Sequence, residues 1–153
     1  MRVALDSNVI IYAEGGNDDN RRNLAHGLIG GLLPSRVVVP LQAAVESLRW
    51  LIYRAGFERS LASQRIAWWL HRFSTQPTTR AVFSGATEIV VQHRIAPFDA
   101  VILAAAAEGG ASVLLTEDMQ DGFRWNGVTV ANPFASNPSP IIRQLINSQG
   151  AAP

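Results

Sequence analysis

Between Pro97 and the Gly109-Gly110 pair runs Phe98-Asp99-Ala100-Val101-Ile102-Leu103-Ala104-Ala105-Ala106-Ala107, a stretch with one charge and no polar face. Proline at a first helical position starts a helix, and the paired glycines stop it. A helix that is apolar all round has nothing to offer water, so it belongs inside the protein with other elements around it. Asp99 interrupts the run, which is in any case not clearly long enough to span a bilayer. With 153 residues the chain has room for one domain and one sizeable core, and is too short for two ordinary ones.

The rest of the sequence supplies the cover. Val3 to Leu5, Arg36 to Val39, Ser112 to Thr116 and Val128 to Val130 read as short buried strands. Helical spacing marks Asn8 to Ala13, residues 21–33 (Leu24, Leu28, Ile29, Leu32) and the segment from Pro40 to Gly56 (Leu41, Ala44, Val45, Leu48, Ile52). It also marks Ser60 to Ser74 (Ala62, Ile66, Trp69, Leu70, Phe73) and residues 81–94. Strands that alternate with helices predict an α/β fold, three layers α/β/α around a central parallel sheet of about four to five strands. This domain is expected over residues 1–134. A tail follows over 135–153, beginning in the Pro/Ser/Asn-rich stretch Asn132 to Pro140 and passing through Ile141 to Ile146 to a frayed, partly disordered end.

Composition removes several chemistries. No Cys is present, so disulfides, thiolate metal sites and cysteine nucleophiles are out. No Lys is present either, which excludes a Walker-type phosphate loop, a Schiff-base enzyme and the acidic pocket of a receiver domain with its lysine. All 13 Lys+Arg cations are Arg, the side chain suited to bidentate phosphate contacts. The chain starts on a strand-like run without the features of a signal peptide, and a soluble, cytoplasmic protein without a membrane segment is the expectation.

Four acids stand where a solvated charge is unexpected. Asp6 and Asp118 each lie just past the carboxyl end of a predicted strand, where α/β sheets bind ligands. Glu46 sits in an apolar helix just after a strand, and Asp99 in the first turn of the most apolar helix. Each has a plainer reading: Asp6-Ser7 as a helix cap, Glu46 paired with Arg49, Asp99 at a helix dipole, Asp118 in a loop turning at Asp121-Gly122. Convergence of all four would be repulsive. Two carboxylates about 4 Å apart cost roughly 4 kcal/mol at an effective dielectric near 20. A divalent cation, Mg²⁺ or Mn²⁺, or protonation of some carboxyls must offset that, and metal-assisted hydrolysis of phosphodiesters is the reaction this inventory best supports.

Arg65, Trp68 and Arg72 fall on one helical face, which suits single-stranded RNA through phosphate contact and stacking, or a dimer or other protein interface. Trp50, Tyr53 and Trp69 in the same two helices favour the protein interface. His26, His71 and His93 are expected at the surface.

The chain resembles PIN-domain proteins of the VapC-like ribonuclease group. Asp6-Ser7-Asn8-Val9, Glu46 in its helix, Pro97-Phe98-Asp99-Ala100 and Leu115-Thr116-Glu117-Asp118 carry the resemblance, in order and across nearly the whole chain. It implies that Asp6, Glu46, Asp99 and Asp118 are the catalytic, metal-site acids, with Asp121 a candidate fifth, and that Asn8 and Thr116 position carboxylates or water. It further implies a Mg²⁺- or Mn²⁺-dependent endoribonuclease, the toxin of a type II toxin-antitoxin pair, acting as a homodimer on RNA and inhibited by a small cognate antitoxin protein. The alternatives are a non-catalytic nucleic-acid- or protein-binding module on the same fold, and a HAD-like phosphatase. The phosphatase needs an Asp two residues after Asp6, where Asn8 stands, and a downstream Lys.

Overall fold

The computed structural model describes residues 1–147; 148–153, where the frayed end is expected, lie outside them. The first strand β1 (Val3–Leu5) leads into helix α1 (Ser7–Ala13), and after the polar break α2 (Asp19–Gly30) begins at the cap Asp18, whose carboxylate accepts from Arg21 N–H at 3.0 Å. A 3₁₀ turn at Pro34–Arg36 delivers the chain to β2 (Val37–Pro40), followed by α3 (Leu41–Tyr53) and α4 (Arg59–Arg72). Then come β3 (Ser74–Gln76), α5 (Arg80–His93), α6 (Pro97–Glu108) and β4 (Val113–Leu115). A hairpin of β5 (Arg124–Trp125) and β6 (Val128–Ala131), and helix α7 (Pro140–Asn147), complete the fold.

The strands form one sheet of 6, in the order β3-β2-β1-β4-β6-β5. All neighbours are parallel except β5 and β6, so the expected parallel α/β sheet is present and gains an antiparallel edge. The two strands absent from the sequence reading are polar and short: Ser74-Thr75-Gln76, of which Ser74 alone falls in an expected element, as the end of a helix, and Arg124-Trp125. Neither has an apolar run. Their pairing comes from the neighbour, with Val38 opposite Ser74 and Thr129 opposite Arg124.

Helices cover both faces. α6 touches β2, β3, β4 and β6, and α5 packs on it, which encloses Ala100 to Ala106 completely. Its buried Ile102 and Leu103 contribute about 1.5–3 kcal/mol each by leaving water. The ends of the helix are more open, with the first-turn Phe98 66% exposed. On the other side α1, α2, α3 and α4 pack on one another. The inward stripe of α3 is Ala43, Ala44, Ser47 and Leu51, so Val45, expected inside, faces solvent, as does Leu24 on α2. Small residues line that stripe where α3 meets α1, and the Ser47 hydroxyl lies 3.4 Å from Ser7 O while donating to Ala43 O of its own helix at 2.8 Å. α7 rests on α2, with Ile142 and Leu145 in the core.

Tight packing at the end of α6 gives a stability prediction. A Cβ at Gly109 would stand 2.9 Å from Val38 Cγ1 and 3.2 Å from Ala105 O. Val38 is buried in the sheet and has nowhere to go. Gly109→Val is expected to cost about 1–3 kcal/mol through overpacking. A urea titration with an unchanged midpoint would show that the strand yields freely.

Candidate active site

Strand order places the site. β2 follows β1 on one side of it, whereas β4 pairs on the other, so the chain reverses direction across the sheet between β1 and β4. A crevice opens at the carboxyl ends of strands at such a point. Asp6 ends β1 and Asp118 follows β4, on the two lips. α6 runs antiparallel to β4, because only Gly109 to Ser112 connect them, and its first turn brings Asp99 to the same edge. Glu46 arrives on α3, which follows β2.

Asp6 is the most enclosed of these groups, 1% exposed. It caps α1, accepting from Ser7 N–H at 2.6 Å, so the capping reading of the sequence holds alongside the site. Its Oδ2 accepts from the Thr116 hydroxyl at 2.5 Å and from Asn8 Nδ2 at 3.3 Å. Thr116 Oγ1 in turn accepts from Asp118 N–H at 3.1 Å, while Asn8 Nδ2 donates to Asp118 Oδ2 at 2.9 Å. One buried amide and one buried hydroxyl thus tie the two lips together. Among the described residues Asn8 Oδ1 has no hydrogen-bond partner and is buried, because its nitrogen is committed to facing the carboxylates.

Glu46 does not pair with Arg49. Its Oε2 accepts from Ser7 Oγ and its Oε1 from Gln42 Nε2, both at 3.0 Å. Ser7 and Gln42 are positioning residues that the sequence reading passed over; Gln42 carries a local signal, four residues before Glu46 on the helix. Asp121, the candidate fifth acid, accepts from Asn132 N–H through its Oδ1 at 2.8 Å.

The electrostatics follow from burial. Burial raises the Asp6 carboxyl from 3.8 to about 7, against the pull of the Thr116 and Ser7 hydrogen bonds, and the charges of Asp99 and Asp118 add to the rise. Burial likewise raises Asp99 from 3.8 to about 6, with Asp118 and Glu46 adding. These mutual effects bring the four acids into one electrostatic unit. Among the described residues no ion pair neutralises any of them. An all-oxygen donor set with unmet negative charge suits a hard divalent cation. Among the described residues no three acidic or imidazole groups form a ready cage, so the fit is to an ion that takes one or two carboxylates directly and keeps most of its waters.

Beside the crevice a second network links α2 to the loop after β4. Tyr12 OH donates to Glu117 Oε1 at 2.6 Å, and Arg21 donates to Tyr12 OH at 2.7 Å and pairs with Glu117 at 3.3 Å. Arg21 is therefore a strut under the acidic loop. A cleft of about 380 Å³ opens where Asp99 and Asp118 meet Arg94 and Phe123.

Arg65, Trp68 and Arg72 lie away from the acids. They line a groove of about 590 Å³ with Glu14, His26 and Ile29. Glu14 forms its floor, accepting from Trp69 Nε1 at 2.6 Å and pairing with Arg65 at 3.6 Å. Arg72 stacks over Trp68, 5.7 Å from the ring centre. All three histidines are at the surface.

Comparison with known proteins bears on the fold. Residues 3–123 match the family model described as PIN domain. No match is found among curated proteins. Of solved structures, Mycobacterium tuberculosis VapC20, described as a Sarcin-Ricin loop cleaving toxin, is similar at TM-score 0.63 and 19% identity, over 73% of this chain and 86% of that one. A toxin-antitoxin complex from Klebsiella pneumoniae gives TM-score 0.65 and 20% identity, over 86% of this chain and 98% of that one. FitAcB from Neisseria gonorrhoeae gives 0.65 and 19%, with the same coverage of 86% and 98%. At these identities the likeness is one of fold.

Proposed function

We propose, on the premise that this chain belongs to the PIN-domain family, that it is a divalent-metal-dependent endoribonuclease and the toxin of a type II toxin-antitoxin pair. The observation that carries the reading is Asp6, buried without a cation and held beside Asp99 and Asp118 at the sheet's switch point. Similar folds in a toxin described as cleaving the Sarcin-Ricin loop and in toxin-antitoxin complexes support it.

Hydrolysis of a phosphodiester forms a bond from water oxygen to phosphorus and breaks one to the leaving oxygen, with a proton lost at the first and gained at the second. Mg²⁺ or Mn²⁺, bound directly by one or two of the Asp6, Asp99, Asp118 and Glu46 carboxylates and reached by the others through its waters, would supply ionised water and charge neutralisation at the phosphate. The chain's own contribution is alignment. Thr116 and Asn8 fix Asp6 relative to Asp118, and Ser7 with Gln42 fixes the Glu46 carboxylate so that it can orient a water or accept its proton.

The antitoxin partner is assigned to the groove over Glu14. Its cations are already engaged, Arg65 by Glu14 and Arg72 by the Trp68 ring, which suits a protein surface better than an RNA phosphate. A homodimer would bury Phe83 and Val91 of α5, 60% and 80% exposed. The test of the central reading is cleavage of single-stranded RNA by purified protein. Cleavage is expected in Mg²⁺ or Mn²⁺ and lost in EDTA. Protein that binds RNA but never cuts it in either metal would instead be a binding module.

A further inference from the structure

Arg94 closes α5 in the left-handed region, φ 56 and ψ 28, a conformation that favours glycine or asparagine. An arginine kept there at a conformational cost invites a functional reason. Its surroundings supply one. Arg94 lines the cleft of about 380 Å³ together with Asp99 and Asp118, and with Phe123, whose ring meets His93 at 5.2 Å. Yet among the described residues its side chain makes no ion pair with either carboxylate and no hydrogen bond, and it is exposed. An exposed arginine that lines an acidic cleft with its guanidinium unpaired is placed for an anion that the cleft itself must admit.

Building on the nuclease reading above, we propose that Arg94 is a substrate-contacting residue, binding a phosphate of single-stranded RNA laid across this cleft while Asp99 and Asp118 face the bond to be cut. The αL cap turns the chain out of α5 just before Ile95, Ala96 and Pro97 lead to Asp99, so contact residue and site acid share one short rigid connection. Phe123 and His93 add an aromatic wall on which a base can stack.

The test is Arg94→Gly, compared with Arg94→Lys and the parent. Glycine relieves the left-handed backbone, so the unfolding midpoint should hold or rise by about 2 °C. Cleavage should nevertheless fall about tenfold, mainly as a higher KM, and Lys should recover part of it. Binding to a single-stranded RNA oligonucleotide in EDTA, followed against salt, should lose about 0.7 from the slope of log affinity on log salt, one phosphate contact. A purely structural cap would not move that slope. Should the slope and affinity of Arg94→Gly equal those of the parent, the proposal falls, whether or not the parent cuts. If the parent binds RNA without cutting and the slope still drops, the contact stands and the nuclease reading alone is lost.

Discussion

Asp99→Asn should lower Mg²⁺-dependent RNA cleavage roughly 10³-fold while leaving the fold intact. Asparagine fits the first turn of α6 as well as aspartate does, and no hydrogen bond to Asp99 is broken, since Pro97 starts this helix without a side-chain cap. What disappears is a negative charge beside Asp118 and Glu46. Ground-state affinity for RNA should hold or improve, because the cleft loses repulsion toward phosphate. The loss therefore belongs in kcat. Cleavage within a few-fold of the parent would remove Asp99 from the machinery, and with it the site as assigned.

Asp6 gives the second large effect, in stability against pH. In the unfolded chain its carboxyl titrates near 3.8, whereas burial, aided by the Asp99 and Asp118 charges, lifts it to about 7 in the fold. Between those values the folded protein holds a proton that the unfolded chain has released, so stability is full below about pH 4 and drains as pH rises through 7. The loss should reach a few kcal/mol in metal-free protein. Asp6→Asn should flatten that slope and, in EDTA at pH 8, unfold at a higher temperature than the parent while cutting no RNA. Mg²⁺ should restore the parent and not the variant, since a ligand stabilises only the state that binds it. A parent profile already flat from pH 5 to 8 in EDTA would mean that Asp6 stays ionised without help.

Much of the fold was legible because apolar runs report directly on burial. Val3-Ala4-Leu5 and Val113-Leu114-Leu115 became central strands, and the all-round apolar helix became α6, enclosed between sheet and α5. The acids at strand ends stood out for the same reason, as charges flanked by core. Edge elements carried no such signal: Ser74-Thr75-Gln76 and Arg124-Trp125 are strands only because a buried neighbour offers its hydrogen bonds. Contacts between distant segments were equally silent. Nothing local announces that Ser7 steadies Glu46 or that Asn8 spans Asp6 and Asp118, since each partner is set by the packing of α1 on α3 and of β1 on β4.

The bond from Thr116 to Asp6 joins residues 110 apart in the chain. A ribosome making this protein therefore releases β1, α1 and Glu46 long before their acidic counterpart exists, and the acids cannot gather until β4, with Thr116 just after it, has emerged and paired. On the toxin reading proposed above, late closure of this kind would leave an interval in which an inhibitor meets a chain that cannot yet cut.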